Sequence, residues 1–224
     1  MTSSTLKLEP LTLEDVGALS ELWFAAFTDP SMTEVFPNTP GVREWLENAS
    51  REDLANKPFQ KYVKIVDTEA VDSQGRPRVA AFAKWDLAMP EERGRRWPPW
   101  HEDMKGDTAE KFFQILEGNR TRVMGDQKHF CMAWHTPLLH MHWNHVLTMC
   151  GQTWIPLLHT PITNDGDVAR GLFNGAAIWQ TLRGVSAYVD ASKDGAPLYA
   201  KHGFVDHSNP GEHVASMARF VKAE

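Results

Sequence analysis

Apolar residues recur along the chain with two different periods, and the changes of period mark its elements. Val16, Leu19, Leu22, Trp23 and Phe27 lie three and four residues apart, as one buried stripe of a helix does. Thr12, Glu14 and Asp15 precede them, which places carboxylates at the positive end of the dipole, and the helix is expected to stop near Asp29-Pro30. Val42, Trp45, Leu46 and Leu54 predict a second helix from Gly41 to Ala55. Leu6-Lys7-Leu8 reads as a short strand, and Tyr62 to Val66 and Val79 to Leu87 are β-rich. Between those last two, Asp72-Ser73-Gln74-Gly75-Arg76-Pro77 carries turn chemistry, so they form a predicted hairpin. Met89 to Met104, with its prolines and Trp97 and Trp100, reads as a surface loop. Thr108 to Met124 is helical, with Phe112, Phe113, Leu116 and Val123 as candidate core positions.

From Thr153 onward strands and helices alternate. Trp154 to Leu158 predicts a strand, Val168 to Leu182 a helix, Ala187-Tyr188-Val189 a strand, Pro197 to His202 a short helix closed by Gly203, and Val214 to Val221 a last strand. This succession implies an α/β (α+β) protein with a mixed sheet and helices on its faces. No repeat, low-complexity tract or linker divides the chain, so one domain over 1–224 is expected.

Composition narrows the function. Hydrophobic residues are 42% of the 224, enough for an ordinary core, and charged residues are 23%. The formal net charge of -6 comes without a basic stripe, which argues against a nucleic-acid partner, since phosphates need facing cations. The N-terminal residues lack the apolar run of an export signal, and no stretch approaches the ~20 apolar residues of a membrane span. Cys131 and Cys150 are then expected as free thiols, and the protein as soluble and cytoplasmic, a monomer or homodimer.

Two stretches in the C-terminal third carry a resemblance. One runs Leu158-His159-Thr160-Pro161-Ile162-Thr163-Asn164-Asp165-Gly166-Asp167-Val168-Ala169-Arg170-Gly171-Leu172; the other runs from Ala187-Tyr188-Val189-Asp190-Ala191-Ser192 through Gly195-Ala196-Pro197-Leu198-Tyr199-Ala200-Lys201-His202-Gly203-Phe204. They resemble the GNAT N-acetyltransferase superfamily, in which the first is a strand, a glycine-containing turn and a helix that hold acetyl-CoA. The second is a strand leading to a short helix whose tyrosine lies near the thioester sulfur. The resemblance implies a central mixed, mostly antiparallel sheet flanked by helices, and acetyl-CoA as cosubstrate. It implies cofactor contacts from Leu157, Leu158, Asn164, Gly166, Val168, Ala169, Arg170, Gly171 and Ser192, and Tyr199 as the acid that protonates the departing thiolate. It also places Trp23, Phe27 and Glu34 toward an amine acceptor of small size, and Trp97, as an aromatic on a loop, is a further candidate to line that pocket. The chemistry agrees: a turn entering a helix presents free N–H groups to a pyrophosphate, and a strand N–H can hold the oxyanion of an attacked thioester.

The turn departs from the family's pattern of Gln or Arg, two variable residues, Gly, a variable residue, then Gly or Ala. Counted from Asn164, the first glycine position holds Asp167, with Asp165 nearby; a slip of one residue would restore Gly166. Two unit charges 4 Å apart repel by about 4 kcal/mol at an effective dielectric of 20, against roughly 0.3–1 kcal/mol returned by a helix dipole. Asp167 as the helix N-cap, with Arg170 one turn on, is the arrangement that spares a phosphate. A GNAT-fold protein that has lost acetyl-CoA is therefore the second reading.

An atypical insert at 131–152 holds His135, His140, His142 and His145 with both cysteines. Their spacing fits no zinc pattern and no acidic residue is near, so no metal is expected; a metal enzyme built on these histidines is a distant third reading. A native insertion shaping a substrate pocket and a translated, unspliced intron both remain open. For the general base, His129, Asp86 and a water relay are the candidates.

Overall fold

A computed structural model of the protein describes residues 6–136 and 184–221. The expected strand at 154–158, the helix at 168–182 and the turn between them lie outside the described residues, as do Cys150 and His140, His142 and His145.

Local chemistry fixes the helix starts. Asp15 accepts hydrogen bonds from the Thr12 N–H at 2.8 Å and its hydroxyl at 2.9 Å, closing a single 3-10 turn, Leu13–Asp15, that leads into α1 (Val16–Ala26). The chain leaves α1 at Phe27 as the stripe predicts. Asp29-Pro30 then does more than stop a helix: the Asp29 carboxylate caps the Met32 N–H at 3.0 Å, and Pro30 opens α2 (Pro30–Val35). Proline suits that first position because its missing N–H would have had no partner. Thr39 caps α3 (Pro40–Asn56) in the same way, through the Val42 N–H at 3.2 Å.

The hairpin is β2 (Gln60–Val71) and β3 (Pro77–Asp86), closed by Asp72, whose carboxylate accepts from the N–H groups of Gln74 and Arg76. Strand β1 (Leu6–Pro10) lies antiparallel on β2. A one-turn helix, α4 (Pro90–Arg93), interrupts the expected loop, and α5 (Gly106–Met124) carries the chain to β4 (His129–Thr136). After the undescribed stretch come β5 (Ser186–Ser192), α6 (Ala196–Lys201), β6 (Val205–Asp206) and β7 (Val214–Arg219). Among the described residues, seven strands form one mixed sheet in the order β1-β2-β3-β4-β5-β7-β6. Among these strands β4 and β5 alone are parallel; the other pairings are antiparallel. Helices cover both faces, as expected. No helix among the described residues is long and apolar enough to cross a membrane.

One boundary is corrected. Residues 131–136, which the sequence reading assigns to the insert, are the continuation of β4 and lie in the middle of the sheet. Phe130, Cys131 and Met132 are all buried, because both faces of this strand are covered. A doubly covered strand shows no polar alternation, which is why its pattern does not announce it.

The sheet separates two cores. On one face Phe82 and Tyr62 meet Trp23, Phe24, Phe36, Trp45 and Trp97 under α1, α2 and α3. On the other, Trp85, Met132, Val189 and Ala191 pack against Leu198 and Tyr199 of α6. The first core encloses a charge. Lys84 is 3% exposed, and Asp53 of α3, 4% exposed, takes its ammonium together with Lys57 at 2.6 Å and the Tyr62 hydroxyl at 2.8 Å. Burial pulls the Lys84 ammonium below the usual lysine range, while the Asp53 charge holds it up.

The two partners are therefore unequal. Asp53→Ala leaves Lys84 buried with no carboxylate and is expected to cost about 3–5 kcal/mol. Lys84→Met leaves Asp53 with Lys57 and Tyr62 and is expected to cost less than half as much. Urea midpoints of the two variants check this, and equal losses would contradict it.

Candidate active site

The described residues with the most chemical potential lie where β4 and β5 part. The strands pair over four positions, His129 with Ser186 through Met132 with Val189, and no further. Beyond that point β4 continues along β3 to Thr136, and β5 continues along β7 to Ser192. On β4 the partner of Lys84 is Trp134 and that of Trp85 is Met132, so Ala133 is an extra residue, a bulge. Bulges bend and twist their strand and recur beside active sites. Here the bend falls at the last β4–β5 pair and opens a fork. Among the described residues, neither 133–136 of β4 nor 190–192 of β5 has a strand partner on the side facing the fork.

From one face, Tyr199 reaches the apex of the fork. Ser192 accepts the Gly195 N–H at 3.0 Å at the turn into α6, and Pro197 sits in its first turn. The helix closes at Gly203, whose φ of 82° belongs to the left-handed region, and the Phe204 N–H returns to the Tyr199 carbonyl. This short element buries the Tyr199 ring edge-on to Phe204, with its hydroxyl 3.5 Å from the Met132 sulfur, at the last paired residue of β4.

From the other face comes a residue the sequence reading missed. Asp190, the first β5 residue beyond the pairing, accepts the Tyr188 hydroxyl at 2.6 Å. Burial pushes its carboxyl up to about 7, against the opposing pull of Tyr188, Arg96 and Arg120. Burial and the Asp190 charge together drive the Tyr188 phenol far above its usual range. The available signal was the alternation Tyr188, Asp190 on one face against Ala187, Val189, Ala191 on the other.

The two named candidates for a base are otherwise employed. Asp86 is fully buried and holds Arg93 at 2.6 Å. His129 stands with Nδ1 2.7 Å from the Gln127 carbonyl and Nε2 2.7 Å from Arg120, so its carbonyl-facing nitrogen carries the proton and the other accepts from the guanidinium. Burial and the neighbouring arginines lower its pKa. Neither presents a free lone pair to a substrate.

The other expected site residues are dispersed. Trp23 is 1% exposed and packs against Phe24, Phe27 and Phe36, so it and Phe27 belong to the core rather than to an open acceptor surface. Glu34 is exposed and pairs with Lys105 at 2.8 Å. Trp97 is stacked on Trp45 and lines a cavity on the outer side of α3. Ser192 caps a turn. Leu157, Leu158, Asn164, Gly166, Val168, Ala169, Arg170 and Gly171 lie outside the described residues. Cys131 is a buried free thiol, and burial raises its pKa. No group of three or more His, Cys, Asp or Glu among the described residues is placed to hold a metal ion.

The strand order, with one parallel pair that splits beside a bulge, defines the fold of the GNAT acetyltransferases. Solved structures of that fold align along the whole chain. They include the histone acetyltransferase HPA2 and related acetyltransferase from Corynebacterium glutamicum, 16% identical over 98% of each chain with a TM-score of 0.54. They also include Arabidopsis thaliana NAA60 in complex with a bisubstrate analogue, 11% identical over 97% of this chain and 100% of that one, TM-score 0.51. The same enzyme in complex with acetyl-CoA is 11% identical over 96% of both chains, TM-score 0.50. No family model matches the chain, and no curated protein matches its sequence.

The raised Asp190 pKa carries a sign. Its folded value lies above the ordinary carboxylate value of 3.8, so its contribution to stability is complete below that pH and is lost as pH rises through about 7. Asp190→Asn keeps an acceptor for Tyr188 without the charge. We expect the variant to exceed the native protein in thermal stability at pH 8, by about 1–2 kcal/mol once the side chain's partial exposure is discounted, and to show little gain at pH 4. Melting curves at the two pH values check it.

Proposed function

We propose that the protein is an acetyl-CoA-dependent N-acetyltransferase acting on the amine of a small molecule. The fork between β4 and β5, with Tyr199 at its apex, is the observation that carries this reading. It offers backbone donors on two open strand edges, the kind of site an extended amide-bearing chain can enter, and NAA60, which shares the fold, is a complex with acetyl-CoA. Acetyl-CoA would supply an acetyl group activated as a thioester. The β4 backbone N–H groups beyond the bulge would donate to an acyl oxygen as it gains charge. Asp190, half ionised near neutrality, would take the proton of an ammonium, and the Tyr199 hydroxyl would give one to a departing sulfur. The acid and the base thus approach the fork from opposite faces of the sheet. In this reading the chain is one catalytic domain, with the phosphate turn at 164–169.

A second reading is favoured by one observation, the carboxylates Asp165 and Asp167 in that turn. They oppose a pyrophosphate and suit a protein that keeps the fold without acetyl-CoA. Calorimetry separates the readings: micromolar acetyl-CoA affinity supports the transferase, and no heat of binding supports the alternative.

For a panel of amines in a free-thiol assay, Tyr199→Phe is expected to lower turnover by about 100-fold with acetyl-CoA affinity unchanged. In kcat/KM against pH, activity should rise as pH passes through about 7, and Asp190→Asn should remove that limb. Unchanged turnover in Tyr199→Phe would strip the tyrosine of its role. A limb that persists in Asp190→Asn would do the same for the aspartate.

A further inference from the structure

Arg96 is a half-buried cation on the charged face of the sheet, and among the described residues no anion is paired with it. It lies between α4 and Trp97, whose buried ring, stacked on Trp45, anchors the segment. Its charge acts on Tyr62 of β2, Lys84 of β3, Cys131 of β4, Asp190 of β5 and Glu117 of α5. Reach to every one of these elements puts the guanidinium over the middle of that face, the face from which Asp190 meets the fork.

The neighbouring cations are engaged. Arg93 is held by Asp86 at 2.6 Å and by Glu117 at 3.1 Å, Arg120 by Glu117 and His129, and Lys84 by Asp53. The Nε atoms of Arg93 and Arg120 lack partners too, but their terminal nitrogens do not; for Arg96 no hydrogen bond is made among the described residues, and its Nε is buried. A guanidinium carries five N–H donors in a planar fork, and leaving them buried and unmet is costly. The like charge of Lys84 adds to the cost, since Asp53 already serves Lys84, Lys57 and Tyr62. Asp190 does not relieve it, because its carboxylate takes the Tyr188 hydroxyl and no ion pair joins it to Arg96. The group that fits is a planar oxyanion arriving with a ligand, since a guanidinium binds a carboxylate through two parallel hydrogen bonds. A phosphate dianion would leave a negative charge over beside Asp190 and Glu117.

We propose that the acceptor is an amino acid, its carboxylate bound by Arg96 and its amine directed to Asp190. The fate of the amine rests on the transferase reading; the carboxylate site rests on Arg96. An amine and a carboxylate on one carbon can bridge two groups that stand near each other without touching, as Arg96 and Asp190 do. The reaction is that of the transferase: Asp190 takes a proton from the ammonium, nitrogen bonds to the acyl carbon, the carbon–sulfur bond breaks, and the sulfur takes the Tyr199 proton.

The test sets the standard amino acids against their decarboxylated amines on the full chain, phenylalanine against 2-phenylethylamine among them. Binding is read by calorimetry without acetyl-CoA, and transfer by thiol release with it. At least one amino acid is expected to exceed its amine by about 10- to 100-fold in affinity and in kcat/KM. Arg96→Met should abolish that ratio, chiefly through KM; the ratio cancels what the variant does to Asp190, which both partners of a pair meet. Arg96→Lys, which keeps the charge without the planar fork, should retain part of it. Arg95→Gln, which removes an exposed cation 3.8 Å from Glu110, should leave it unchanged. A ratio near one for every pair, its survival in Arg96→Met, or no binding of any amino acid at millimolar concentration would each overturn the proposal. Thiol release with amines as fast as with amino acids would sink it and leave the transferase reading standing. Arg96-dependent binding of an amino acid, with no heat from acetyl-CoA, would uphold the carboxylate site and sink the transferase reading instead.

Discussion

Four residue pairs hold β4 and β5 side by side, and the extra residue at Ala133 ends their contact. A parallel pair normally continues as far as both strands run, because each ladder bond left unmade is a backbone donor or acceptor to be satisfied elsewhere. Among the described residues this one stops with about half of each strand still to come, while β4 stays on β3 and β5 on β7 along their other edges. Among the described residues the result is an opening inside a sheet, lined by backbone groups in fixed directions. Side chains can then be brought to it from above and below, which a closed sheet does not allow.

The two faces meet that opening with different chemistry because the side chains of β5 alternate. Val189 and Ala191 turn to the apolar core that seats α6 and so fix Tyr199 over Met132. Tyr188 and Asp190 turn the other way, toward Cys131 and the charged side of α5. A one-residue slip in β5 would exchange these roles. Its antiparallel register on β7, six consecutive pairs from Ala187 to Ser192, resists such a slip.

Much of this was legible in the sequence, for physical reasons that differ by element. The helical stripes of α1 and α3 and the Asp72 turn are local signals, and they gave the elements within a few residues. The helix bearing Tyr199 was legible from a motif, with Gly203 marking its end. Strand β4 was not legible: its run from His129 to Met132 is buried on both sides and carries no period, so its second half was read as foreign to the fold. The start of α2 was missed because Asp-Pro signals both an end and a beginning. Asp190 escaped notice because nothing about an isolated aspartate in a strand reveals that burial will leave its carboxyl half protonated near neutrality. That is a property of the packed face, not of the local chain.

The charged face also explains why Asp190 and no other carboxylate there is poised. Asp86 is taken by Arg93, and Glu117 by Arg93 and Arg120 together, and those arginines hold the Glu117 carboxyl below its usual range in spite of its burial. Arg120 is shared further with His129, which fixes the imidazole as an acceptor. The remaining cation, Arg96, pulls on Asp190 without an ion pair joining them, and among the described residues its Nε has no hydrogen-bond partner. A direct Arg96–Asp190 contact would favour the carboxylate and make Asp190 a weaker proton acceptor. The pull against burial comes first from the Tyr188 hydroxyl, which donates to Asp190, and then from Arg96 and Arg120 acting through space.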